Sequence, residues 1–157
     1  MTAPVGPYFV RGVTRFVACP VVANLAAPTR AELTAGTPLT NIVGISGFSL
    51  TRAFLPTPDL DSAFTGNVAG ELTAGDCSLT FKDVRGDTEN RDALTDGTSL
   101  VLVKMDYGDY AGERCECWPV ISGGVNQQVD LAAYGQFKVD FSVPEPPEKN
   151  AVIPAAV

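Results

Sequence analysis

The sequence contains no histidine, and this absence excludes several kinds of chemistry at once. Ser-His-Asp and Cys-His catalysis both need an imidazole, and the usual zinc sites need histidine or paired C-x-x-C knuckles. None of the four cysteines forms such a knuckle, because Cys115 and Cys117 are two positions apart and Cys19 and Cys77 stand alone. We predict that all four are small, reduced, buried residues, and that the chain holds no metal or cofactor.

Long apolar runs are also missing. No run approaches the roughly 18 residues of a membrane-spanning helix, and residues 1–7 lack the basic and apolar regions of a secretion signal. Hydrophobic residues make up 45% of the 157 residues and charged residues 18%, which excludes a wholly disordered chain. We therefore predict a single domain over residues 1–157, kept in a cytosol-like compartment and without a membrane segment.

Basic residues are too few for a nucleic-acid binder, since the net charge is −7 and phosphate neutralisation needs clustered Lys and Arg. The charge is uneven along the chain. Residues 1–54 carry four Arg and one Glu, whereas residues 55–116 carry thirteen acids and five bases. This asymmetry is compatible with head-to-tail association between copies of the chain. It is equally typical of an acidic surface that only aids solubility.

The sequence does contain six segments with the apolar patterns of β-strands. They cover residues 13–19, 41–54, 76–83, 99–105, 114–122 and 136–143. The segment 99–105 is almost continuously apolar, which indicates a strand buried on both faces. Within 114–122, Pro119 indicates an edge strand or a bulge, and Gly123-Gly124 and residues 126–128 indicate a loop.

Two short helices are predicted between these strands. Thr29 and Glu32 have the spacing of a capping box, with Gly36 placed to end the helix in a left-handed conformation. Residues 89–94 form the second candidate helix. The whole pattern predicts a mainly β protein, a β-sandwich or barrel-like domain of six to seven strands with one or two short helices.

A long arm between two strands, residues 55–75, is the most unusual feature. Hairpin loops normally have two to five residues, so an arm of this length either binds something or is disordered. Its spaced apolar residues, among them Leu60 and Phe64, favour packing on its own domain or on a neighbour. Extended arms rich in proline are predicted at both ends of the chain, in residues 1–11 and 144–157.

Two of the predicted strands, 76–83 and 136–143, alternate cleanly between apolar and polar residues. Their polar sides suit either bulk solvent or a water-filled channel. The residues on these sides that we take as candidates for lining a channel are Ser78, Thr80, Lys82, Lys138, Asp140 and Ser142.

Two other classes of function stay open at this level. A carboxylate pair such as Asp106 and Asp109 could serve hydrolysis, although exposed turn acids without EF-hand spacing are the simpler interpretation. A monomeric β-sandwich binding module, for capsid decoration or carbohydrate binding, would need an exposed aromatic cluster. The only tryptophan, Trp118, lies in the middle of a predicted strand.

The order and spacing of several segments resemble a known family. These segments are residues 27–37, Ile45-Ser46-Gly47-Phe48, Thr57-Pro58-Asp59-Leu60, residues 76–81, the turn 94–97 and residues 150–155. Together they span about residues 12 to 155. They resemble the tail tube proteins of long-tailed bacteriophages, particularly those that infect actinobacteria.

The resemblance implies a structural, non-catalytic protein of the virion tail, assembled in the host cytoplasm. Its subunits would form hexameric rings that stack into a tube, with a continuous β-barrel around a channel for genome delivery. The partners implied are other copies of the chain, the tape measure and tail-tip proteins, and DNA in transit without specific binding. The two lysines among the channel candidates, Lys82 and Lys138, fit this role poorly, because a basic wall would bind phosphate.

The resemblance also assigns contacts between subunits. The long arm would reach the adjacent ring, through Leu55, Thr57, Asp59, Leu60, Asp61 and Phe64. The terminal arms would contact neighbouring subunits, through Val152 and Ile153 at the C-terminal end.

Overall fold

The computed structural model describes residues 13–86 and 88–155. They form ten strands and two short helices, which confirms the predicted mainly β class. Six to seven strands was too low a number, and the predicted arm at residues 1–11 lies outside the described residues. The elements are β1 (Arg15–Cys19), α1 (Arg30–Ala35), β2 (Thr37–Leu39), β3 (Ile42–Ser46), β4 (Leu50–Thr57), β5 (Gly66–Ala74), β6 (Cys77–Lys82), α2 (Glu89–Ala93), β7 (Ser99–Met105), β8 (Arg114–Gln128), β9 (Gln136–Ser142) and β10 (Glu148–Val152).

Eight of these strands form one antiparallel sheet in the order β2-β1-β7-β8-β9-β6-β3, with β10 paired to β8. The two end strands, β2 and β3, are consecutive in the chain and are joined by Thr40 and Asn41. The sheet therefore curls round on itself, and its inner face encloses the main core. The other two strands, β4 and β5, pair only with each other.

The long strand β8 lets one sheet form both walls of this core. Its first half pairs with β7 and β10, and its second half pairs with β9. The register shifts between Ser122 and Val125, where Gly124 has φ 87°. The predicted loop at Gly123-Gly124 and residues 126–128 is thus a bulge inside a strand. Bulges of this kind bend a strand and increase its twist.

Pro119 lies inside β8, in the middle of the sheet rather than at an edge. The pairing of β8 with β10 ends at Cys117, and its pairing with β9 begins at Ile121. Pro119 therefore has no partner residue in β10 or in β9, the two strands that pair with this edge of β8. The position tolerates proline because it falls in the gap between two neighbouring strands.

An aromatic cluster fills the main core. Trp118 is fully buried, and the ring of Phe48 contacts it edge-on at a centroid distance of 5.5 Å. Phe48 lies between β3 and β4 with φ 57°, and its N–H donates to Sγ of Cys77 over 3.3 Å. The preceding Gly47 has φ 80°, and a Cβ on it would lie 2.4 Å from the carbonyl oxygen of Asp76. Glycine is therefore needed at this position.

A second cluster lies on the opposite face of β1, β7 and β8. Val101, Val103 and Met105 of β7 point into it, whereas Leu100 and Leu102 point into the main core. The prediction that this strand is buried on both faces is confirmed. The cover consists of Leu33 from α1 and of Ala151 and Ile153 from the C-terminal arm. All four cysteines are free and buried, as predicted, and three of them belong to this cluster.

The capping box of α1 is confirmed. The N–H of Glu32 donates to the Thr29 hydroxyl over 3.3 Å, and the N–H of Thr29 donates to the Glu32 carboxylate over 2.8 Å. The prediction for Gly36 was wrong, since its φ is −73° and its conformation is extended. Glycine is required here for space, because a Cβ would lie 2.7 Å from Val17 Cγ1 and 2.8 Å from Cys19 Sγ.

Candidate assembly surfaces

The long arm is a β-hairpin and not an irregular segment. Strands β4 and β5 pair from Leu50↔Ala74 at the base to Thr57↔Gly66 near the tip, so the hairpin begins before the predicted arm of residues 55–75. The predicted strand over residues 41–54 accordingly splits into β3 and the first part of β4. Within the described residues no other strand pairs with the hairpin.

Both faces of this β4–β5 hairpin carry exposed apolar side chains. Consecutive residues of a strand point to opposite faces. Leu55 pairs with Val68 on one face, and Phe54 pairs with Ala69 on the other. The exposed fraction is 61% for Phe54, 56% for Leu55 and 52% for Val68. A two-stranded hairpin with both faces in water is marginally stable, and exposed apolar patches of this kind are typical of interaction surfaces.

The tip of the hairpin, residues 58–65, presents Leu60 and Phe64 to solvent. Asp59 holds the turn, since its carboxylate accepts the N–H of Asp61 over 3.0 Å. The Ser62 hydroxyl accepts the N–H of Phe64 over 3.2 Å. Leu60 is left fully exposed by this turn. The structure thus places the six predicted inter-ring residues on one projecting element, with Leu55 and Thr57 on β4 and the other four at the tip.

The outer face of the sheet formed by β3, β6, β9 and the second half of β8 is polar. Thr80 of β6 has Gly44 and Lys138 as its cross-strand neighbours, and Asn126 lies beyond Lys138. The six predicted channel residues lie on β6 and β9 but differ in exposure. Ser78 is buried at 6% exposure, Thr80 and Lys138 are half-buried, and Lys82, Asp140 and Ser142 are exposed.

The charges on this polar face partly cancel. The Lys138 ammonium lies 3.5 Å from the Asp140 carboxylate two residues along the same strand. The Lys82 ammonium lies over the ring of Tyr134, 5.9 Å from its centroid. The charges of Lys138 and Asp140 offset each other, so Lys82 leaves the six predicted channel residues with a net charge of +1, and each of the two lysines has a partner within the subunit.

The same four strands leave two sheet edges open. Among residues 13–86 and 88–155, β3 pairs only with β6, and β8 from Val125 onward pairs only with β9. Unpaired N–H and C=O groups along an edge strand are a template for pairing with another chain. The polar face is thus bordered by a free edge on each side.

The connection between β8 and β9 is a second apolar projection, and the sequence analysis missed it. In this β8–β9 loop, residues 129–135, Val129, Leu131 and Tyr134 are exposed by 84%, 105% and 56%. The Asp130 carboxylate accepts the N–H of Ala132 over 2.9 Å and fixes the turn. Three large apolar residues between the predicted strands 114–122 and 136–143 were the signal that could have identified it.

The C-terminal arm lies on its own subunit. Strand β10 pairs with β8, and Ala151 and Ile153 are buried in the second cluster. Arg30 holds the arm, since its Nη2 donates to the carbonyl oxygen of Pro154 over 2.6 Å while its Nη1 contacts Asp109 at 3.0 Å. The prediction that Ile153 contacts a neighbour differs from this arrangement, because its side chain already fills the subunit's core. Val152 is 52% exposed, and its contact with a neighbouring subunit stays a prediction.

The residues of the alternative functions lie in structural positions. Trp118 is fully buried. Asp106 is paired with Lys104 and Arg114, at 3.2 and 3.6 Å, and Asp109 is paired with Arg30. No group of three potential metal ligands occurs in the part of the chain that the structure describes. No helix there is long and apolar enough to cross a membrane.

Sequence comparison identifies the family of this chain. A family model described as phage tail tube protein matches residues 1–156. The chain belongs to the phage tail tube protein family. It is therefore a structural protein of the tail tube and has its place in the virion tail, as the resemblance implied. No curated protein matches the chain.

Solved structures share the fold of this tail tube family member. One is a chain in a cryo-EM structure of the anti-feeding prophage (AFP) baseplate, six-fold symmetrised, with a TM-score of 0.58 and 11% identity over 97% of this chain and 99% of that chain. Another is a chain in the tail of an empty GTA particle, computed with helical refinement and C6 symmetry. Its TM-score is 0.54 and its identity 12%, over 74% of this chain and 87% of that chain.

Proposed function

We propose that this tail tube family member forms hexameric rings that stack into a tube, and that the tube is the channel through which the genome enters the host cell. The observation that carries the proposal is the sheet of β3, β6, β9 and the second half of β8. It has an uncovered polar face and a free edge on each side. The six-fold number is proposed because both structural relatives belong to assemblies described with six-fold symmetry.

Pairing of the two free edges closes the ring. The four strands alternate in direction, so β3 and the second half of β8 run in opposite directions. Rotation about the ring axis gives every copy the same orientation. The β3 edge of one copy therefore meets the β8 edge of the next in an antiparallel pairing, and every edge in the ring is satisfied.

The polar face then lines the channel, because the opposite face of these strands is buried in the core. Its lining includes Ser78, Thr80, Lys82, Lys138, Asp140 and Ser142. A polar wall without a cluster of unpaired lysines suits DNA in transit, since a strongly basic wall would hold phosphates by counterion release. The Lys138–Asp140 pair and the contact of Lys82 with Tyr134 reduce the poor fit of the two lysines.

The β4–β5 hairpin reaches from one ring to the next. Its exposed apolar faces gain cover there, through Leu55, Thr57, Asp59, Leu60, Asp61 and Phe64. Val152 on the exposed side of β10 contacts a neighbouring subunit. The further partners are the tape measure and tail-tip proteins, assembly takes place in the host cytoplasm, and the protein performs no catalysis.

Electron microscopy of the purified protein tests the proposal. We expect rings at low protein concentration and tubes at high concentration, with a central channel in both. The tail-tip proteins should be added in a parallel sample to supply a starting point for the tube. A protein that stays monomeric in sedimentation and in micrographs under both conditions would overturn the proposal.

A further inference from the structure

Two exposed apolar features lie at opposite ends of the polar-faced sheet. The β4–β5 hairpin springs from the end where β3 stops at Ser46 and β6 starts at Cys77. The β8–β9 loop lies at the other end, where Lys82, Gln136 and Gln128 stand side by side in register. The six residues of β6 separate the two ends by roughly 17 to 20 Å, at about 3.3 Å per residue.

A groove at the base of the hairpin provides a receiving surface. It has a volume of about 240 Å³ and lies between the hairpin and the segment that follows β9. Leu50, Leu72 and Ala74 line one side, and residues 143–147, which include three prolines, line the other. The groove is therefore mostly apolar and opens at the same end of the sheet as the hairpin.

We infer that Leu131 of the β8–β9 loop inserts into this groove on a copy in the adjacent ring. The inference rests on the proposed function and names the surface that the hairpin base meets. Copies stacked head to tail in one orientation bring the loop end of one sheet against the hairpin end of the next. An apolar projection and an apolar groove then face each other across the contact between rings.

The loop of the same copy cannot fill the groove. The two features belong to opposite ends of the sheet, and the short β8–β9 connection cannot cover the distance between them. Leu131 is fully exposed, and Val129 and Tyr134 beside it are also more than half exposed. The occupant of the groove is thus a second copy of the chain, because every copy in a stack carries the same apolar β8–β9 loop.

Disulfide cross-linking tests this contact. A chain with both Leu131→Cys and Leu72→Cys is assembled, oxidised mildly and run on a non-reducing gel. We expect a ladder of dimers and larger species, because each chain links to copies above and below. The four native cysteines are buried, so the wild-type protein should stay at the size of one chain. Each single variant supplies the same control.

A matched pair distinguishes the base of the hairpin from its tip. A chain with Leu131→Cys and Leu60→Cys should give far less cross-linking, because Leu60 lies at the far end of the hairpin. Cross-linking of this pair in preference to the Leu72 pair would overturn the inference. The chain with Leu131→Cys and Leu72→Cys could also form normal tubes and yet give no ladder of cross-linked species. This result would overturn the inference as well, and would indicate that the groove has another occupant, such as residues 1–12 or a different tail protein.

A polar substitution provides a second test in case the cysteine variants assemble poorly. Leu131→Asp should leave folded rings and at least a tenfold lower fraction of tubes in micrographs. Normal tubes from Leu131→Asp would contradict this inference but not the proposed function, since the rings and their stacking would be intact. Absence of rings and tubes from the wild-type protein would instead overturn the proposed function, and this inference with it.

Discussion

Gly47 sets the position of the buried ring that follows it. Its left-handed backbone turns the chain so that Phe48 enters the aromatic core, and the carbonyl of Asp76 leaves no room for a side chain. Gly47→Ala should therefore lower the free energy of unfolding by about 2 to 3 kcal/mol. Gly75→Ala is the matched control, because a Cβ there meets no atom within 4 Å. Equal urea midpoints for the two variants would contradict this account of Gly47.

The thiol of Cys19 makes part of the stability depend on pH. Burial raises the pKa of Cys19 from its ordinary value of 9.0 to about 11, and the Glu32 carboxylate acts in the same direction. The unfolded chain therefore loses this proton first, so the contribution is complete below about pH 9 and is lost as the pH rises to about 11. The loss should be about 3 kcal/mol.

Urea unfolding at pH 8 and at pH 10.5 measures this effect. Other groups also titrate in this range, so the wild-type protein is compared with Cys19→Ala, which lacks the thiol. The variant should be less stable at pH 8 because of the cavity, but its stability should fall less between the two pH values. Parallel decreases in both proteins would show that Cys19 does not contribute.

At the scale of elements, the β4–β5 hairpin can be removed without disturbing the main sheet. Its two strands pair only with each other, and Leu50 and Ala74 face each other at its base. Replacement of residues 51–73 by Asn-Gly, a sequence suited to a two-residue turn, should leave a cooperatively folded domain. We expect this variant to form rings without tubes in electron micrographs, with a melting temperature close to that of the wild type. Tubes of normal length would show that the hairpin is not the stacking element.

The element patterns also show what the sequence reveals and what it hides. The strands β7 and β9 were predicted within a residue or two, because burial on both faces or on one face leaves a clear apolar pattern. The hairpin was missed because both of its faces carry mixed residues, and Pro56 and Gly70 interrupt its strands. The hairpin contributes no residue to the fully buried core, so the apolar pattern that marks a core strand is absent from it. Gly36 was misinterpreted because the reason for glycine there is the approach of β1, which is distant in sequence.

At the scale of the whole molecule, the proposed channel depends on the pairing of Lys138 with Asp140 on its polar face. Asp140→Lys removes the partner of Lys138 and places three lysines on that face. Rings or tubes of this variant should bind short duplex DNA about tenfold or more tightly than the wild type, with an affinity that falls as salt rises. Asp92→Lys makes the same change of net charge on α2, which lies on the opposite side of β9, where Arg91 covers the ring of Phe137. Equal DNA binding by both variants in a titration would place Asp140 outside the channel.

The family and the fold class of the whole molecule were predictable from the order of segments, whereas the assembly surfaces were predictable only in part. Alternation placed polar residues such as Thr80 and Lys138 on one face, because period-two patterns depend on local geometry. Which edges stay open depends on the pairing of strands far apart in the chain, such as β3 with β6. The burial of Ile153 and the exposure of Leu131 depend in the same way on the folded surroundings.

The two ends of the polar-faced sheet differ, and this difference has a consequence for tube length. In the proposed stack, the projection at one end and the groove at the other form a contact that does not close, so every added ring exposes the same groove or the same loop again. Growth by such a contact has no defined end, because each added ring presents the same surface whatever the number of rings already in the tube. In that proposed stack, the length of the tube is therefore set by a molecule other than this chain.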